Sequence, residues 1–189
     1  MMLERIKAEI SRCAGRVLGR RVRRLAREQD GAAAIEFALV AAPFLALLFA
    51  ILETAFIFFA SQTLEAAVAD SGRLIMTGQA QTAGWTAATF KNQVCARIFG
   101  LFDCQNGVYV NVQKYSTFGS ATTATPYTNG QFDSTKTAYN AGDPGEIQVV
   151  QLFYQWPIYV SLFSMNLSNQ NGNKRLLVAT SVFRNEPYK

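Results

Sequence analysis

The sequence predicts an α+β protein. A long N-terminal transmembrane helix extends into a small globular head with a second helix and a three- to four-stranded antiparallel sheet. Three observations lead there. Residues 37–60, FALVAAPFLALLFAILETAFIFFA, form an apolar run broken only by Glu53. The positive charge is gathered directly before that run. Past residue 107 the apolar residues stop recurring at helical spacing and begin to alternate, the period of a half-buried strand.

The apolar run comes first. As a helix it is roughly 36 Å long at about 1.5 Å per residue, and about 20 apolar residues suffice to cross the hydrocarbon core. A buried core helix is the alternative, but such a helix keeps a polar face and this run has none. Residues 1–30 carry nine Lys/Arg and four Asp/Glu, so the whole net charge of +5 resides in the arm and residues 31–189 balance to zero. A basic arm abutting an apolar run is a topology signal: RRVRRLAR (20–27) stays cytoplasmic and the C-terminal part lies outside the cytoplasm. Leu3, Ile6, Ile10, Val17 and Leu25 fall near helical spacing among the arginines. The arm therefore reads either as a basic amphipathic helix on an anionic membrane surface or as a solvated leader.

The helix is expected to continue beyond the membrane. In SQTLEAAVADSGRLIM (61–76), Leu64, Val68 and Ile75 recur near one face, and Gly78 supplies a stop. One helix from about Ala32 to about Thr77 follows, its outer half packing a stripe on the domain after it. The expected organisation is a basic leader over 1–31, a transmembrane helix over 32–60, its extracytoplasmic continuation over 61–79, and the head over 80–189. Within the head, residues 82–102 read as a second helix with Trp85, Phe90, Val94 and Ile98 as its apolar positions. Strands are expected at 107–116, where Val108, Val110 and Val112 alternate, at 147–156, and at 175–184. Pro157 marks an edge or an end of the second. The polar stretch 116–146, rich in Ser, Thr and Gly, is expected to be an exposed loop, either a contact surface or a tolerated insertion.

Cysteine usage agrees with the compartments. Cys13 lies in the arm, on the reducing side. Cys95 and Cys104 both lie on the far side, with eight residues between them, and are expected to close a small loop as a disulfide; two unpaired buried thiols are the alternative. Two thiols in a chain without histidine make a poor metal site.

The absence of histidine also removes the commonest general base and proton shuttle. No phosphate-binding glycine loop and no metal-ligand cluster stands out. Asp103, Asp133, Asp143 and Glu146 fall in or near loops and read as solvated carboxylates. No enzymatic activity, no cofactor and no nucleic-acid partner is expected.

One residue is out of place on these terms. Glu36 stands at the mouth of the apolar run, in DGAAAIEFALV (30–40). A charged side chain within the bilayer costs about 2.5–3.5 kcal/mol at a helix centre and less near the interface. It is either an incidental boundary residue or one with a cationic partner. A cut between Gly31 and Ala32 would create that partner, because the new α-amine of one subunit could pair with Glu36 of its neighbour. Each charge is otherwise stranded in a low dielectric, so the pair would stabilise assembly.

A basic leader, a glycine, a glutamate at the fifth position after it and a long apolar helix resemble the type IV prepilin class. Gly31, Ala32, Glu36 and Phe37 match its cleavage motif. REQDGAAAIEFALVAAPFLALLFAILE (27–53), with Pro43 and Glu53, resembles the TadE-like proteins of the tight-adherence (Tad, Flp) pilus system, and the C-terminal RNEPY (184–188) resembles the end of that family. Residues 80–170 resemble nothing nameable. The resemblance implies a pseudopilin or minor pilin, cut after Gly31 by a prepilin peptidase. Its partners would be other pilins, the inner-membrane assembly platform and the lipid bilayer. It would sit as a single-pass protein in the bacterial inner membrane with a periplasmic head, and could enter an extracellular pilus.

Independently of the resemblance, Ala34, Ala38, Ala42, Ala46 and Ala50 recur at every fourth position. Such rows of small residues let membrane helices approach closely. Glu53 projects near the Ala42–Ala46 part of the row, where it too would face a partner helix. Pro43 would kink the helix, which neighbouring helices can compensate. Two other readings stay open. One is a signal-anchored envelope protein left uncut; the other is a secreted binding domain released by a cut after Ala69, for which the apolar run is too long to be a usual signal peptide.

Overall fold

The computed structural model describes residues 29–98, 100, 102–159 and 167–188. The readings of the basic arm and of Cys13 lie outside these. The chain divides into two compact units, residues 1–49 and 50–189. One helix, α1 (Gln29–Met76), contributes to both.

In the first unit every described residue is helical. Pro43 lies inside the helix. Ile35, Phe37, Leu39, Val40, Phe44, Leu45, Leu47, Leu48 and Phe49 are all exposed, which in water would be a large unfavourable apolar surface. The helix is long and apolar enough to cross a membrane.

In the second unit the same helix changes character. Glu53, Ile57, Ala60, Leu64, Ala67, Val68, Ser71 and Ile75 are buried. Their spacing of three and four is the stripe of a helix with one buried face, while Phe56, Phe58 and Phe59 on the other faces stay exposed. Arg73 O accepts from Thr77 N–H and Ile75 O from Gly78 N–H, closing the helix at the expected place, with Gly78 at φ 78°.

The stripe packs on a three-stranded antiparallel sheet. Its strands are β1 (Val108–Tyr115), β4 (Ile147–Pro157) and β5 (Lys174–Arg184), in the order β1-β4-β5. The register pairs Val112 with Val150 and Val150 with Ser181, and likewise Val110 with Leu152 and Leu152 with Ala179. Alternation then puts Val108, Val112, Val150, Leu152, Leu177 and Ala179 into one cluster with the helix stripe. Burying each large side chain contributes about 1.5–3 kcal/mol. Pro157 ends the central strand, where its missing N–H costs no ladder bond.

Two expectations need correction. The helix expected over 82–102 is shorter, α3 (Ala87–Cys95), and two further short helices flank it, α2 (Gln79–Thr82) and α4 (Cys104–Gly107). Gly84 and Gly100 adopt left-handed backbone, at φ 57° and 64°, and break the run. Thr86 starts α3 afresh by accepting from Thr89 N–H. Phe90, Val94 and Ile98 are nonetheless buried as their spacing suggests.

The stretch 116–146 is not simply exposed. It forms a small hairpin, β2 (Tyr127–Thr128) with β3 (Gln131–Phe132). Its return segment bonds to β1 through Val112 N–H to Ala138 O and Asn140 N–H to Val112 O, at 2.7 and 2.9 Å. Phe132 is buried on the far face of the sheet against Phe153 and Tyr109, with ring centroids at 4.8 and 5.2 Å. Its polar composition concealed one aromatic anchor.

Candidate assembly site on the long helix

Gly31 is the third residue of α1 and Ala32 the fourth. Ala32, Glu36 and Phe37 are exposed, Phe37 at 74%. Ala34, Ala38 and Ala42 are exposed, and Ala46 and Ala50 half-buried. The row is thus available on the helix surface.

Glu53 behaves differently. It was expected beside the alanine row, facing a partner helix. It is instead only 7% exposed, and its carboxylate accepts the Tyr159 backbone N–H at 2.5 Å. The structure gives this charge a partner within its own chain, just past the end of β4. A carboxylate in an apolar helix is thereby hydrogen-bonded instead of facing hydrocarbon. Sequence spacing along the helix cannot show this, because the bond joins residues 106 apart.

Cys95 and Cys104 form a disulfide with Cα atoms 5.5 Å apart. It ties the end of α3 to the start of α4. Asp103 caps α4 by accepting from Asn106 N–H, and that bond and the Asn106 side chain hold its carboxyl below the usual carboxylate range. Asp133 likewise accepts from Thr135 and Thr128, with the same direction of shift. Lys114 donates to Glu146 and Asp143 at 3.1 and 3.3 Å, and these bonds raise its pKa. All three groups are at the surface, where solvent screens such pairs. The carboxylates that read as merely solvated are caps and ion pairs.

The RNEPY end acts as a clasp. Arg184 Nε donates to Gly145 O at 2.8 Å. Asn185, 2% exposed, donates from its side chain to Ala141 O and Asp143 O and from its backbone to Glu146 O. Glu186 N–H reaches Met76 O at the last residue of α1. Tyr188 lies against Gly78, where an added Cβ would stand 2.3 Å from the ring. Tyr188 and Gly78 also line a pocket of about 470 Å³ with Thr77, Gln79, Thr82, Ala83 and Trp85. Five residues so join the sheet, the loop before β4 and the helix end.

A family model described as TadE-like protein matches residues 31–73. No curated protein and no solved structure matches the chain. The matched segment opens on Gly31, contains Glu36, the alanine row and Glu53, and stops before the clasp. The segment Gly31–Arg73 is thus similar to TadE-like proteins, which points to an association with a Tad pilus.

Proposed function

We propose that the protein is a non-catalytic minor pilin or pseudopilin that takes part in assembling a Tad-type (Flp, type IVb) pilus. A prepilin peptidase cuts between Gly31 and Ala32. The mature chain stands in the bacterial inner membrane with its head in the periplasm, and passes from there into contact with other pilins and the assembly platform. The observation that carries this is the TadE-like match beginning at Gly31, five residues before an exposed glutamate at the mouth of the membrane helix.

In this reading the Ala32 amine of one subunit pairs with Glu36 of the next. Packing along the alanine row brings the helices close enough for that pair to form. The test is the N-terminal sequence of the protein recovered from its native membrane. A chain that begins AAAIEF supports the reading. One that still carries residues 1–31 overturns the processing step and favours a signal-anchored envelope protein, for which Glu36 is a boundary residue.

A further inference from the structure

We propose that the end of the head formed by the close of β4 and the start of β5 is seated in the outer boundary of the bilayer, with Tyr159 in contact with lipid. The inference rests on α1 crossing the membrane and not on its cleavage.

The argument begins with Glu53. The apolar run continues seven residues past it to Ala60, roughly 10 Å of helix. On that stretch Phe56, Phe58 and Phe59 remain 53–68% exposed. Aromatic side chains left uncovered there suit hydrocarbon or its edge, and water poorly. Glu53 therefore lies below the outer limit of the apolar surface. Its carboxylate accepts the Tyr159 N–H, so Tyr159 is at the level of Glu53. The head reaches down beside the membrane-facing surface of its own helix.

The strand directions agree. At the far end, Glu186 after β5 bonds to Met76 at the helix terminus, while the close of β4 meets Glu53. The 23 residues from Glu53 to Met76 span roughly 35 Å. The 11 residues of β4 span about 36 Å. The sheet thus runs alongside α1 from Met76 down to Glu53.

The residues at this lower end suit an interface. Tyr159 is 79% exposed, while Ile158 beside it is buried. Asn173 holds Ile158 by a backbone bond of 2.9 Å and a side-chain bond of 2.6 Å. Lys174 is exposed next to it. An exposed tyrosine and an exposed lysine at the same end of the sheet are residue types that favour the headgroup region. The surface is continuous with that of the membrane helix through Glu53, which selects lipid as its occupant.

The test uses the full chain in vesicles of phosphatidylethanolamine and phosphatidylglycerol. Cys13→Ser removes the thiol of the arm. Tyr159→Cys is then labelled with an environment-sensitive fluorophore; the backbone N–H that Glu53 accepts is kept. Asn171→Cys, in the exposed turn before β5, is a second probe of the same end. Gly119→Cys serves as the control beyond the opposite end of the sheet, where an added Cβ meets nothing within 4 Å. The label at 159 should lose most of its emission to nitroxide carried on lipid and keep it against aqueous iodide, with 119 the reverse and 171 between. Quenching of 159 by iodide alone would overturn the proposal, as would shielding from both quenchers, which would mean that a neighbouring protein covers the site. A failure of either kind leaves the cleavage at Gly31 untouched, since that is read from the mature N-terminus.

Discussion

Gly78 and Glu36 show two ways in which a single residue decides an outcome. Gly78 combines left-handed backbone at φ 78° with a Tyr188 ring where a Cβ would stand. Gly78→Ala should destabilise the head by about 1–2 kcal/mol from backbone strain alone, and more if the ring cannot shift. At about 2–4 °C per kcal/mol, a fall of several degrees in the melting temperature is expected. Tyr188→Ala in the same chain should recover the steric part and leave the backbone part; equal losses in the single and double variants would show that the ring contact contributes nothing. Glu36 is an exposed carboxylate, and the role proposed for it is a pairing between subunits. Glu36→Ala should leave membrane insertion unchanged and lower pilus output, read by shear-fraction yield beside the amount of protein in the membrane. Normal output from a normally inserted variant would count against pairing between subunits.

The elements differ in how far composition and spacing reveal them. The long helix was legible because its signals are local: an apolar run, a three-four stripe and a stopping glycine. The three strands were legible from alternation, each to within a residue or two. The segment 82–102 was misread because apolar residues kept helical spacing across Gly84 and Gly100, where the backbone turns. The loop 116–146 was misread because a single buried ring, Phe132, outweighs many polar neighbours. Glu53 and the RNEPY clasp were legible as residues but not as contacts, since their partners are far away in sequence. The disulfide tests how much the short helices depend on a covalent tie. Closing a loop of this length contributes about 3 kcal/mol in the chain-entropy account. Reduction should therefore lower the melting temperature of the head by several degrees while leaving its sheet in place, as read by circular dichroism with and without reductant. No shift on reduction would mean that the packing of Phe90 and Val94 holds α3 without it.

At the scale of the whole molecule, the charged groups set a window of stability that can be worked out in sign. The chain has no histidine. Asp103 and Asp133 have lowered pKa values in the fold, through bonds from Asn106 and from Thr135 and Thr128. A lowered carboxylate contributes stability that is present above the unfolded value, near 4, and is lost as pH falls through the folded value. Lys114 is raised by its bonds to Glu146 and Asp143, and Tyr139, Tyr154 and Tyr188 are raised chiefly by burial. A raised group contributes stability that is complete below its unfolded value, near 10, and lost as pH rises through the folded one. The two ends leave a plateau between about pH 5 and 9. The melting temperature of the disulfide-intact chain in detergent should be flat across that range, fall in acid as the caps protonate, and fall in alkali as the tyrosines ionise. Asp133→Asn should weaken the acid limb, because the bonds from Thr135 and Thr128 that lower its pKa are lost with the charge. A slope between pH 6 and 8 would count against this assignment of the titrating groups.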